Sequence, residues 1–153
     1  MKLFKKTIFV IIILLGSNSM QSQKIELKDL QNLNKLSMND FNKQITEVYK
    51  YTYVDKKESQ YANSYLYANP DSIRVIVKLE ITLLPEESSV EYWTKDKVEF
   101  EAFETNLENS GYKFVDFGDL EQEIFVTIKK GKQTIVLYTP EKVGEFYRIH
   151  VQQ

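Results

Sequence analysis

The chain predicts an α+β fold: an antiparallel sheet with two helices packed on one face. Three observations lead there. From Asp96 to Val151 a helical pattern is followed by three alternating runs with hairpin punctuation between them. From Ser37 to Thr94 a looser version of the same order recurs. The composition is rich in strand formers, with 13% aromatic residues (ten Tyr, nine Phe), while Gly (five) and Pro (three) are scarce, as suits short connections.

The first residues stand apart from this fold. Lys2, Lys5 and Lys6 precede an unbroken apolar run from Ile8 to Leu15, and Ser17 and Ser19 supply a small-x-small cleavage pattern. Residues 1–22 therefore read as a secretory signal peptide, with an apolar core too short to span a bilayer comfortably, and residues 23–153 as a single domain. The expectation is an exported protein, periplasmic or secreted, with no stable membrane insertion once the leader is cut. The leader's Ile-rich core and Ser/Gln-rich tail are similar to those of flavobacterium-like Gram-negative organisms. The chain has no cysteine, which excludes disulfides, thiolate nucleophiles, zinc–cysteine sites and lipid attachment at a cleavage-site cysteine. Net charge is −2, and removing the leader makes it more negative. With Arg74 and Arg148 as its two arginines, the chain is a poor ligand for nucleic acid.

Taken in order, Lys24 to Asn34 is polar with interspersed Ile and Leu, either an edge strand over Lys24 to Leu27 or a short helix. Ser37, followed three residues later by Asp40, approximates a capping box. Met38, Phe41, Ile45, Val48 and Tyr49 then recur at helical spacing, giving a first helix from about Met38 to about Tyr51. Tyr51 to Val54 hands over to extended chain, Asp55 to Gln60 reads as a loop, and Asn63 to Ala68 as a tyrosine-rich strand. Asn69-Pro70-Asp71-Ser72 makes a turn. In Ile73 to Leu84 the odd positions are all apolar, which predicts a strand with that face in the core. Ser89 to Thr94 is the next strand. The second helix, capped by Thr94, carries Val98, Phe100, Phe103 and Leu107 and stops at Gly111, with Glu101, Glu104 and Glu108 on its wet face. Strands over 124–128, 134–138 and 146–151 complete the chain.

The two halves, 37–94 and 95–153, share an outline. Phe41 corresponds to Phe103, and Tyr51-Thr52-Tyr53-Val54-Asp55 to Tyr112-Lys113-Phe114-Val115-Asp116, with one residue of slippage. In a chain this aromatic, chance and duplication both produce such a match. Duplication predicts two tandem αβββ units, side by side. That outline is similar, at the level of fold, to the tandem helix-plus-sheet exported inhibitors and envelope-assembly modules; likeness of fold does not carry function.

No arrangement of catalytic residues, metal ligands or cofactor-binding motif emerges. The single histidine, His150, alternates with Ile149 and Val151 and reads as a surface residue; a Ser-His pair would have to use it, and a metal site rich in imidazole is excluded. Asp116, Asp119, Glu121 and Glu123 surround Gly118 without calcium-loop spacing and read as a solvated connection. Lys129-Lys130-Gly131-Lys132 reads as a charged hairpin tip. Tyrosine is the one enriched chemistry: Tyr51, Tyr53, Tyr65 and Tyr67, with Trp93, are the candidate binding residues, against their alternative use as core and cross-strand packing. The function expected is a non-catalytic binding or interaction module without cofactor, whose partner is an envelope protein, a peptide or a saccharide. A structural or assembly role is the alternative, and a hydrolase using paired carboxylates comes third.

Overall fold

A computed structural model describes residues 24–71, 73–82, 88–120 and 123–152. The expected leader, Ser72 of the expected turn, Leu83 and Leu84 of the expected strand, and Glu121 lie outside the described residues. Among the described residues the fold is mixed α+β, an eight-stranded antiparallel sheet with three helices, not two. The helices are α1 (Leu27–Asn34), α2 (Met38–Lys43), which runs on into a π-helical turn (Gln44–Val48), and α3 (Lys97–Asn109). The strands are β1 (Thr52–Glu58), β2 (Ala62–Ala68), β3 (Arg74–Ile81), β4 (Ser88–Thr94), β5 (Lys113–Leu120), β6 (Glu123–Lys130), β7 (Gln133–Pro140) and β8 (Tyr147–Gln152). They lie in the order β1-β2-β3-β4-β8-β7-β6-β5, so β4 and β8 form the central seam and β1 and β5 the edges.

Local chemistry accounts for the helix boundaries. The Ser37 hydroxyl accepts from Asp40 N and donates to its carboxylate. Asp96, not Thr94, caps α3 by accepting from Val98 N and Glu99 N. Thr94 supports the cap: its hydroxyl accepts from Asp96 N at 3.1 Å and donates to Glu99 at 2.8 Å. Glu99 is buried and also takes both hydrogen bonds from Arg74 Nε, which ties the first turn of α3 to the start of β3. Past the helix ends, Lys50 and Gly111 both adopt left-handed backbone, at φ 62° and 81°.

Each strand alternates between two faces. The register carries one row across the sheet through Tyr53, Tyr67, Ile76, Tyr92, Ile149, Leu137, Val126 and Phe117, and a second through Lys56, Tyr65, Lys78, Val90, Val151, Ile135, Ile128 and Phe114. The middle of this face joins Leu30, Leu33, Phe41, Ile45, Phe100, Phe103 and Leu107 in one hydrophobic core. Ring contacts join Phe41 to Tyr67, Phe103 to Tyr92 and Phe100 to Tyr147. It is called the core face below, and its reverse the outer face.

Four sequence expectations are corrected by this arrangement. Asp55 to Gln60 is not a loop up to Glu58: it continues β1, whose charged residues are tolerated because an edge strand keeps both faces wet. The acidic stretch after Phe114 is likewise strand, through Leu120 and again from Glu123. In β3 the parity is reversed. The even residues Ile76 and Lys78 enter the core, while Val75 and Val77 are buried on the outer face. In β3 the residues from Val75 to Lys78 are buried on both faces, so apolar alternation no longer marks which side holds the helices. Lys78 gains entry by donating to Asn34 O at 2.8 Å, a carbonyl freed at the end of α1, and to Ser88 Oγ at 2.9 Å. The fourth correction concerns His150, taken up with the outer face.

Candidate functional site: an aromatic and guanidinium row on the outer face

The register of the outer face brings Val75, Trp93, Arg148, Tyr138, Phe125 and Gly118 into one row, from β3 through β4, β8, β7 and β6 to β5. Its middle is a continuous series of π surfaces. Phe146 lies 5.9 Å from Trp93, the Arg148 guanidinium lies 5.9 Å from Trp93 and 4.1 Å from Tyr138, and Tyr138 lies 6.3 Å from Phe125. Phe125 continues over Gly118, where an added Cβ would meet its Cζ at 2.6 Å. Gly118 is thus a close-approach glycine that leaves room for a ring. Trp93, Arg148, Tyr138, Phe125 and Phe146 are all partly exposed. At about 4.8 Å per strand, the row from β4 to β6 is roughly 14 Å long.

Carboxylates hold the guanidinium in place. Arg148 makes a bidentate pair with Glu123 from β6 and approaches Glu91 from β4 at 3.7 Å. Glu91 also accepts from Trp93 Nε1 at 2.7 Å, so one buried carboxylate orients both the indole and the arginine. The next row places His150 between Glu91 and Val136. The imidazole stands on the outer face but is not a surface group: its side chain is only 14% exposed and Nε2 is buried with no hydrogen-bond partner among the described residues. Burial lowers its pKa from 6.5; Glu91, 3.6 Å from Nδ1, opposes that shift and Arg148 adds to it. Chemically, this assembly offers oriented stacking surfaces around a guanidinium held by two carboxylates.

The five aromatic residues singled out from the sequence do not share a surface. Tyr51 and Tyr67 are buried in the core, and Tyr67 donates to Asn42. Burial pushes the Tyr67 hydroxyl up to about 12. Tyr65 is half-buried beside it on the core face, and Tyr53, 49% exposed, packs edge-on against Tyr67 at 5.5 Å. Trp93 alone belongs to the outer-face row. Its companions Arg148, Tyr138, Phe125, Glu91 and Glu123 were missed because the row exists only across strands; no linear spacing reveals it. The available signal was that Arg148 and His150 occupy the alternate positions to Ile149 and Val151.

Elsewhere, a cleft of about 820 Å3 lies between α1, the end of α3 and the β6–β7 hairpin. At its wall Gln31 donates to Tyr112 and Gln133, and Tyr112 donates to Gln133 at 2.6 Å, so these groups satisfy one another. Among the described residues, no group of three or more His, Asp or Glu is placed to hold a metal ion. No helix among them is long and apolar enough to cross a membrane. No protein-family model, no curated protein and no solved structure matches the chain.

Proposed function

We propose that the protein is an exported, non-catalytic binding module that recognises an extended ligand, a peptide or a glycan of the cell envelope, along the outer-face row. The carrying observation is the run Phe146–Trp93–Arg148–Tyr138–Phe125, π surfaces held in register by Glu91 and Glu123. Aromatic and arginine side chains give large contact area at small entropic cost, and those already fixed by neighbours lose least on binding. A length of about 14 Å spans roughly four residues of extended chain. Glu91 and Glu123 both face Arg148, an arrangement that favours orientation of a guanidinium over acid–base work.

The scaffold in this reading is two tandem helix-plus-sheet units with their helices on the core face and the outer face left for the ligand. Three features support it. The strand order mirrors itself about the β4–β8 seam. Both edge strands shift register at the same place in the matched stretch, between Tyr53 and Asp55 and between Phe114 and Asp116. The π-helical turn, whose wider winding takes up an extra residue, lies where the first half is one residue longer between Phe41 and Tyr51 than the second between Phe103 and Tyr112.

Trp93 is the only tryptophan, so its emission reports on the row directly. Titration with peptidoglycan fragments and with peptides extracted from the envelope is expected to shift that emission, and Phe125→Ala with Tyr138→Ala to abolish the shift. Emission unmoved by every titrant, or a shift that survives both substitutions, would sink the reading.

A further inference from the structure

The core face is unevenly finished. At the β5–β6 edge Phe114 is 62% exposed, Phe117 69% and Ile124 48%, with the Phe114 and Phe117 rings 6.3 Å apart. Beside them a groove of about 380 Å3 opens against α3, with Leu107, Leu137, Val126 and Ile128 among its lining. Its helix wall is acidic, because Glu104 and Glu108 also line it. Lys97 pairs with Glu101 at 3.3 Å, but neither Glu104 nor Glu108 is in an ion pair among the described residues. The Glu104 carboxyl is raised above its ordinary range, first by burial and then by Glu101 and Glu108. Lys97 pulls the other way on Glu104 but is paired with Glu101, so among the described residues no cation is paired with Glu104 or Glu108.

We propose that the ledge formed by β5, β6 and α3 docks a basic amphipathic helix of a partner protein. Three arguments select that occupant. Two strands at about 4.8 Å spacing are roughly 10 Å wide, the diameter of one helix. A helix lying there alongside α3 sets its apolar face on Phe114, Phe117 and Ile124, in the manner of helix-in-groove recognition. Its Lys or Arg side chains then reach Glu104 and Glu108, whose unpaired charges disfavour an acidic helix or an anionic lipid surface. This surface lies on the face opposite the proposed ligand row and shares no residue with it.

The test uses two labelled synthetic peptides of about 15 residues, roughly 22 Å of helix, both carrying Leu on one face, with Lys on the other in one and Glu in its twin. Fluorescence anisotropy is expected to show the Leu/Lys peptide binding at least about tenfold more tightly than the Leu/Glu peptide. Phe117→Ser is expected to weaken it about tenfold. Glu104→Gln with Glu108→Gln is expected to remove the preference for Lys while leaving the fold intact, so the charge argument is tested apart from the apolar one. Equal binding of the two peptides, or binding indifferent to both sets of substitutions, overturns the proposal. So does sedimentation of the wild type as a dimer that Phe117→Ser dissolves, since the ledge is then covered by a second copy.

Discussion

Lys78 and His150 are two ionisable residues that the sheet hides on opposite faces, and each leaves a different mark on stability. The Lys78 amino group sits 5.6 Å from the Phe41 ring centre, and burial, against a smaller opposing pull from Glu80, lowers its pKa from 10.5 to about 8. Between these values the unfolded chain holds a proton that the folded chain has released, so stability from this group rises with pH across the window. Relative to Lys78→Met, wild type is expected to gain about 2 kcal/mol between pH 8 and pH 10, from roughly 1.4 kcal/mol per pK unit. Denaturant melts at the two pH values measure it, and parallel profiles would refute the burial argument. For His150 the window is acidic. The folded ring stays neutral below 6.5 while the unfolded one protonates there, so stability is lost as pH falls through 6.5. His150→Gln is therefore expected to flatten the acid limb of the stability curve between pH 7 and pH 5. Neither burial was legible beforehand. Alternation assigns a residue to a face, but only strand order tells how deeply that face is covered.

The ends of the helices show how much an element can be read from its own residues. Gly111 was legible as a stop and does end α3 in left-handed backbone. Lys50 occupies the same conformation after the π-helical turn, with no glycine to advertise it, and the sequence gives no warning there. A side chain in that region costs about 1 kcal/mol. Lys50→Gly is therefore expected to raise stability by about 1 kcal/mol, minus the added freedom of glycine in the unfolded chain. Gly111→Ala, whose Cβ would meet nothing within 4 Å, is expected to lower stability by a similar amount through backbone strain alone. Urea midpoints for the pair test this, and a Lys50→Gly variant less stable than wild type by the full cost of glycine's freedom would show that Lys50 is not strained. The edge strands were misread for a related reason. Polar residues such as Lys56, Lys57 and Glu58 signal a loop only if a strand must hide a face, and an edge strand need not.

At the scale of the molecule, the question is whether the mirrored halves behave as one body. The sequence carried the helix-then-strands order in each half and the matched Tyr53-Val54-Asp55 and Phe114-Val115-Asp116 stretches. It carried nothing about the seam, because β4 and β8 are far apart in the chain and their pairing is set by packing. Links of several kinds cross that seam. The β4–β8 ladder runs from Thr94 and Tyr147 to Ser89 and Gln152, the Asn34 side chain at the end of α1 donates to Val151 O, and Glu91 on β4 reaches Arg148 on β8. The core has no break there either, since Val90, Tyr92, Ile149 and Val151 belong to one cluster with Leu30 and Leu33 of α1. Splitting the halves would expose this cluster, so neither half retains a closed core without the other. Unfolding in urea is therefore expected to be a single transition, with Trp93 emission, which reports the seam, and far-ultraviolet circular dichroism, which reports all strands, superimposing. Loss of the Trp93 signal at lower urea than the dichroism would show that the seam opens first and that the two units are separately stable. Truncating the seam with Ile149→Ala is expected to shift both curves together to lower urea, by an amount reflecting a cost of about 2–5 kcal/mol for emptying a buried site. A shift in only one of them would locate the weak boundary between β4 and β8.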